Sequence, residues 1–228
     1  MATSLKLSII IPVYNERETL PQILAQVKAL PVEKEIIVVD NCSTDGTREW
    51  LQRLQDPAIR VILQPRNWGK GTSVRTGLAQ ARGEYVVVQD ADLEYNPQEI
   101  LRLLAVAEQG HLAVFGSRLL ENPPRVPRLH AWGRDFLNEV FRWLYRSRIT
   151  DVATGYKLLR RELAQSLPLH SAGFELDYEL PAKLRKRGIE IVEVPVSYHP
   201  RTVAEGKKLR WTVGLTALWA LVKYRFTD

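Results

Sequence analysis

The chain has 228 residues, a length that suits one large domain, and its 32 Lys and Arg against 26 Asp and Glu give a formal charge of +6. Apolar residues at 45% and charged residues at 25% are ordinary globular usage and exclude a disordered, collagen-like or predominantly membrane-embedded chain. The single cysteine, Cys42, excludes an intramolecular disulfide, and one Cys with four scattered His excludes a structural zinc cluster.

The first apolar run, from Leu5 to Val13, is rich in Ile and Val, lacks a cleavage-like site and ends in a Pro-containing turn. It reads as a strand rather than a signal peptide, and the protein is expected in the cytoplasm. Similar β-branched runs cover 5–11, 35–39, 60–63, 85–88 and 112–115. They are apolar on nearly every residue, which predicts burial on both faces, as in a mostly parallel sheet flanked by helices. Helix-length segments fall between them, at about 18 to 50, near 70 and near 98. Asn96-Pro97-Gln98-Glu99 reads as N-cap, first-turn proline and capping-box glutamate. The predicted class is α/β, a βα repeat with an open, doubly wound sheet whose ligands gather at the carboxyl ends of the strands.

Beyond 117 the character changes. Seven arginines between Arg118 and Arg148 face three acids, a local balance of +4, and Trp132, Phe136, Phe141, Trp143 and Tyr145 are interleaved at helical spacing. The tail repeats the pattern, with Lys207, Lys208, Arg210, Lys223 and Arg225 around Trp211, Leu215, Leu218 and Trp219. Basic residues beside Trp/Leu faces are what an interfacial amphipathic helix requires, and equally what a helix packed on the sheet with solvated edges shows. The longest mostly apolar stretch, Thr212 to Val222, has 11 residues, well short of the ~20 needed to cross a bilayer. No internal repeat, linker or low-complexity segment divides the chain, which is read as one unit over 1–228.

The sharpest chemical feature is Gln89-Asp90-Ala91-Asp92, where a buried strand ends. With nine Asp in the chain, chance alone supplies about 0.35 such pairs, so position rather than spacing carries the argument. Two anions held together at a strand end repel, and a divalent cation relieves them; the alternative is a capped turn with solvated acids. Oxygen-only ligands favour Mg2+ or Mn2+ bridging to a phosphate, with Glu94 near enough to add a third oxygen. Pro12-Val13-Tyr14-Asn15-Glu16 and Asp40-Asn41-Cys42-Ser43-Thr44-Asp45-Gly46-Thr47 follow parallel strands to the same end. Their carboxylate and amide groups suit a nucleobase and ribose, and Tyr14 suits stacking, although such residues also simply make turns. Asn67-Trp68-Gly69-Lys70-Gly71 matches neither a phosphate loop nor a dinucleotide fingerprint. Gly69 and Gly71 instead offer close backbone approach to a ligand, and Lys70 a contact to a base or phosphate.

Taken in order, these stretches resemble glycosyltransferase family 2, with its GT-A fold, and within it the dolichyl/polyprenyl-phosphate mannose synthase-like group. The likeness runs through Ile-Pro-Val-Tyr-Asn-Glu at 11–16, Val-Val-Asp-Asn-Cys-Ser-Thr-Asp-Gly-Thr at 38–47, Asn-Trp-Gly-Lys-Gly at 67–71 and Gln-Asp-Ala-Asp-Leu-Glu at 89–94. It continues through Gly-Ser-Arg at 116–118, Thr-Gly-Tyr-Lys at 154–157 and Gly-Phe-Glu-Leu-Asp at 173–177. The resemblance implies a nucleotide-binding half to about 117 and an acceptor half from about 118. It places the nucleoside on Pro12, Tyr14, Glu16 and Val39, the metal and diphosphate on Asp90, Ala91, Asp92 and Glu94, and phosphates on Arg118, Arg201 and Lys207 or Lys208. Asn15, Asp40, Asn41, Gly69 and Lys70 complete the expected donor site. The family commonly has two acids after the second strand, whereas Asp40 is here followed by Asn41, so the base and with it the donor, of GDP-mannose or UDP-sugar type, stay open.

The implied reaction is inverting transfer of a hexose from a nucleoside-diphosphate sugar, the metal and nearby Arg or Lys stabilising the departing diphosphate. A hydroxyl acceptor needs a general base, for which Glu175 and Asp177 are the candidates, unless they form a structural ion pair or cap the next helix. A lipid phosphate is already anionic and needs cations, for which Arg118, Arg128 and Arg134 are the candidates. The basic, aromatic-rich helices favour a polyprenyl phosphate at an anionic membrane surface, with the protein peripheral on the cytoplasmic face, over a soluble or polysaccharide hydroxyl acceptor. A nucleic-acid partner is not expected, because acids crowd the strand ends and no reading motif occurs. A non-catalytic nucleotide-sugar binder is the remaining alternative.

Overall fold

The computed structural model describes residues 5–121, 123–124, 127–201 and 212–227. Seven strands form one sheet: β1 (Leu7–Val13), β2 (Lys34–Asp40), β3 (Ile59–Leu63), β4 (Tyr85–Val88), β5 (Ala113–Ser117), β6 (Lys157–Arg160) and β7 (Val192–Pro195). Their order is β3-β2-β1-β4-β6-β5-β7. Every strand but β6 runs the same way, β6 pairing antiparallel with both β4 and β5. The carboxyl ends of six strands and the amino end of β6 therefore share one edge.

Alternation of side chains across the sheet explains why the strands read as unbroken apolar runs. Ile10, Ile37, Val39 and Val86 face one core, completed by α3 (Lys70–Gln80), α5 (Arg128–Tyr145), α6 (Arg161–Ser166), α7 (Leu176–Lys186) and α8 (Thr212–Phe226). Ile9, Ile11, Val13, Ile36 and Val38 face the other, under α1 (Leu20–Lys28), α2 (Thr47–Arg53) and α4 (Ile100–Ala107). Each such side chain, buried fully, contributes about 1.5–3 kcal/mol.

Three local readings change. First, β1 does not stop before its proline but runs through Pro12 to Val13. Ile10 accepts from Gln89 N on the β4 side and Val13 accepts from Asn41 N on the β2 side, so the Pro12 nitrogen points toward β4, whose pairing with β1 has already ended at Ile10–Val88. A missing N–H costs nothing there. Second, Asn96 does accept from Gln98 N and Pro97 does open the turn, but Glu99 closes no capping box. Its carboxylate instead accepts from Ser197 N and Oγ, tying α4 to the segment after β7. Third, α8 is not divided into an apolar and a polar face. Ala217, Ala220, Leu221 and Tyr224 are buried, while Leu215, Trp219, Val222 and Phe226 stand exposed at 61%, 59%, 45% and 78%. No helix among the described residues is long and apolar enough to cross a membrane.

The helix α3 lies close on β1 because Gly77 has no side chain: a Cβ there would stand 2.5 Å from Ile10 Cγ2. Gly77→Ala is expected to lower stability by about 1–3 kcal/mol in urea unfolding. Gly133→Ala on α5, where a Cβ meets nothing within 4 Å, is expected to be neutral or to stabilise by up to about 1 kcal/mol.

Candidate active site

The shared edge of the sheet collects the charged residues. Gln89 leaves β4 fully buried, with its Oε1 accepting from Tyr156 OH at 2.6 Å and its Nε2 donating to Asp90 O at 2.9 Å. The next turn is tight: Leu93 has φ +60°, in the left-handed region that costs a leucine about 1–2 kcal/mol, and Glu94 N donates to Asp92 Oδ1 at 3.2 Å. Gly155, just ahead of β6, lies beneath Asp90, where a Cβ would come within 2.8 Å of Asp90 Oδ2 and 2.9 Å of the Tyr95 ring. Asp90 is thus packed closely against the Gly155 backbone at this edge of the sheet.

Around the pair runs a chain of charges. Lys157 Nζ lies 3.1 Å from Asp177 Oδ1, Asp177 Oδ2 lies 3.9 Å from Lys70 Nζ, and Lys70 Nζ lies 2.8 Å from Asp90 Oδ1. On the other side Asp92 Oδ2 lies 3.1 Å from Arg201 Nη2, which also pairs with Glu16 at 2.9 Å. The signs alternate from Lys157 to Glu16 with one exception, the step from Asp90 to Asp92. Burial, followed by the charges of Asp90 and Glu94, pushes the Asp92 carboxyl up to about 6 against the pull of Arg201. Burial disfavours the Lys70 ammonium, yet Asp90 and Asp177 outweigh it and raise its pKa.

This arrangement fits a hard divalent cation. The two neighbouring carboxylates share their counter-ions with other acids, Lys70 with Asp177 and Arg201 with Glu16, and the donors are all oxygen. Among the described residues no three His, Cys, Asp or Glu side chains gather as a closed cage, so the fit is to an ion held by one or two carboxylates and sharing a ligand's phosphates. The expected third ligand is engaged within the protein. Glu94 Oε2 accepts from Tyr198 OH and Oε1 from Arg201 N, both at 2.7 Å, which ties Glu94 to the segment after β7.

The β1 and β2 loops are laced together. Asn15 N donates to Ser43 Oγ, Thr44 N donates to Asn15 Oδ1, and Glu16 N donates to Thr47 Oγ1. Pro12, Tyr14, Asn15 and Glu16 remain half-buried at the cleft. Val39, Asp40 and Asn41 are buried, and the latter two make internal contacts. Asp40 pairs with Arg48 at 2.7 Å and accepts from Ser43 N; Asn41 donates to Asn67 Oδ1 and accepts from Trp68 N, each at 2.8 Å. Gly69 and Gly71 make a close approach, but to protein. A Cβ at either would stand 2.4 Å from a backbone oxygen, of Ala172 or Ser171, so the start of α3 is docked on the segment leading into α7 and Lys70 is aimed at Asp90.

Arg118 follows β5 to the same edge. Its Nε and Nη2 each reach Asp151 at 2.7 Å, and it stacks over the Tyr198 ring, 4.9 Å from the centroid. Asp151 is fully buried and held by Glu193, which accepts from Thr150 N and Asp151 N. Arg128 is exposed at the first residue of α5, and Arg134 pairs with neighbouring Asp135 at 2.8 Å; among the described residues neither pairs with an acid of the cleft. Asp177 joins the charge chain, while Glu175 sits half-buried at the start of α7. Lys207 and Lys208 lie outside the described residues. Lys157, Asp151, Tyr198 and Gly155 were not singled out from the sequence. Thr154-Gly155-Tyr156-Lys157 was the available signal for two of them; Asp151 and Tyr198 carry no motif.

Removing one member of a buried ion pair leaves the other uncompensated. Asp151→Ala is therefore expected to cost about 3 kcal/mol in urea unfolding, a loss far above that of the exposed-pair variant Asp135→Ala.

A family model described as Glycosyl transferase family 2 matches residues 8–167. The chain is 32% identical over 211 residues to a dolichol-phosphate mannosyltransferase of Pyrococcus furiosus, covering 89% of this chain and 59% of that protein. It is 31% identical over 230 residues to a polyprenol monophosphomannose synthase of Mycolicibacterium smegmatis, covering 93% and 86%. Its fold is similar to that of glucosyl-3-phosphoglycerate synthase from Mycobacterium tuberculosis, crystallised with Mn2+, UDP and phosphoglyceric acid. The TM-score is 0.74 at 21% identity, covering 98% of this chain and 79% of that one. The chain thus spans less than two thirds of the Pyrococcus relative, and most of the Mycolicibacterium one.

Proposed function

The chain belongs to glycosyl transferase family 2, and on that footing we propose that it transfers a hexose from a nucleoside-diphosphate sugar to a polyprenyl phosphate at a membrane surface. The observation that carries this reading is the unbalanced step between Asp90 and Asp92 in an otherwise alternating chain of charges. Asp90 and Asp92 would hold Mg2+ or Mn2+, which when bound supplies Lewis-acid stabilisation of a diphosphate. Mn2+ in the crystallised structural neighbour supports a divalent ion of this kind.

The residues of the chain divide the remaining work. Pro12, Tyr14, Asn15 and Glu16 line the donor side, and Lys70 and Arg201 stand beside the acids, placed to meet the negative charge that collects on the leaving diphosphate. The bond from the anomeric carbon to the diphosphate oxygen breaks with its electron pair on that oxygen. A phosphate oxygen of the acceptor forms the new bond on the opposite face, inverting the centre. An anionic acceptor needs no proton removed. That matters because Asp177 lies between two ammonium groups, Lys157 and Lys70; burial raises its carboxyl, but these two cations hold it below the usual carboxylate range. Such a group is a poor general base.

The acceptor class is supported by the names of the Pyrococcus and Mycolicibacterium relatives and by the helices of the second half. On α8 the exposed Leu215, Trp219, Val222 and Phe226 recur at helical spacing, and α5 exposes Leu129, Trp132, Phe136 and Trp143. Arg128, Arg146 and Arg225 are exposed on the same two helices and their ends. Apolar rows of this kind among cations gain from both acyl burial and anionic headgroups.

Two outcomes test the proposal. With a panel of nucleotide sugars, Mn2+ and polyprenyl phosphate, Asp92→Asn is expected to lower kcat by about 10²-fold or more; undiminished, still metal-dependent turnover contradicts the assignment. In co-sedimentation with anionic vesicles at low salt, the wild type is expected to pellet, and Trp219→Glu with Phe226→Glu to reduce the bound fraction severalfold. Failure of the wild type to bind favours a soluble acceptor.

A further inference from the structure

Lys70 has two acids in reach. Its Nζ sits 2.8 Å from Asp90 Oδ1 and 3.9 Å from Asp177 Oδ2. The backbone at Lys70 has little room to move, because Gly69 and Gly71 abut the 171–173 backbone and Thr72 N donates to Ala172 O at 3.1 Å. The far end of the side chain is less confined, with the Phe174 ring 5.8 Å away and a small cavity beside it, about 40 Å³, lined mainly by apolar side chains such as Val74 and Leu176. Asp177, for its part, is held by a second cation: Lys157 Nζ lies 3.1 Å from it, and Lys157 is itself buried and donates to Thr154 O.

We infer that Asp177 is the alternate counter-ion of Lys70, receiving its ammonium when a divalent cation takes Asp90. The inference rests on the reading of Asp90 and Asp92 as metal ligands. A cation entering beside Asp90 meets the Lys70 ammonium already there, and two positive groups on one carboxylate repel. Without a second acid, Lys70 stays on Asp90 and competes with the metal. With Asp177 also in reach, the ammonium needs to move only about 1 Å toward it, the difference between its 3.9 Å and 2.8 Å separations, and stays paired throughout. Lys157 keeps Asp177 charged and fixed so that this place is always ready. Asp177 is thus a positioning residue that acts through Lys70 rather than the proton acceptor its position in the sequence first proposes.

The probe is Mn2+ alone, its binding followed by the loss of the free-ion electron paramagnetic resonance signal, so the readout does not need turnover. D177N is expected to weaken Mn2+ binding about tenfold, because Lys70 then has only Asp90. K70M, lacking the competitor, is expected to bind Mn2+ severalfold more tightly than wild type. In the K70M background, adding D177N is expected to change the affinity by less than about twofold. An equal loss with and without Lys70 would show Asp177 acting only as a distant negative charge, and would overturn the inference, as would unchanged or tighter binding by D177N. Since D177N leaves Lys157 buried and unpaired, D177N/K157M keeps the charge balanced. The same tenfold loss is expected there, and wild-type affinity in that variant also overturns the inference. If wild type itself binds no Mn2+, the metal reading falls and takes this one with it. If wild type binds and the series is flat, the metal reading stands and only the role of Asp177 is lost.

Discussion

Repulsion between two carboxylates separated by a single residue is the constraint around which this edge of the sheet is organised. Asp90 and Asp92 leave β4 on a strained turn, with Leu93 in the left-handed region and Gly155 beneath. Two nearby cations answer them: Lys70 from α3 and Arg201 from the segment after β7. Folding two like charges into a half-buried crevice costs stability, and strain of this sort persists where the surrounding structure holds it in place. Here the hold comes from Gln89, Tyr156 and Gly155 below and from the docked start of α3 beside.

The sheet makes this convergence possible. Because β6 alone runs backwards, the loops before β6 and after β1, β2, β4, β5 and β7 all open on one edge. Residues as distant in sequence as Glu16 and Arg201 come within 2.9 Å there. A mostly parallel sheet buried on both faces is rigid enough to keep such positions, since its strands carry two apolar cores, one per face. The segment after β7 is the second organising piece. Tyr198 and Arg201 N fasten Glu94, Tyr198 supports Arg118, and the Arg201 side chain bridges Glu16 and Asp92.

Much of this was legible in the sequence because it follows from short-range rules. Unbroken Ile/Val runs declare doubly buried strands, and acids just past such a run mark the carboxyl edge of the sheet. What stayed hidden depends on contacts between distant segments. Nothing in Asp40 or Asn41 distinguishes a residue facing a nucleoside from one buried against Arg48 or Asn67. Gly69 and Gly71 read as sites of close approach to a ligand, whereas the backbone that approaches them belongs to residues a hundred positions away. Asp177 reads as a general base or as half of an ion pair, and only the fold supplies the two lysines beside it. The short β6 and β7, four residues each, are too brief to show a period, and only their partners define them. Likewise, the apolar residues of α8 divide into a packed row and an exposed row only once α5 and α7 are in place.

The most direct test of the central claim is anomalous diffraction from crystals grown with Mn2+ and a nucleoside diphosphate. The account predicts a single strong manganese peak within bonding distance of both Asp90 and Asp92, shared with the diphosphate. A diphosphate bound at this edge with no metal peak, and with Lys70 and Arg201 still paired to the two acids, would contradict it.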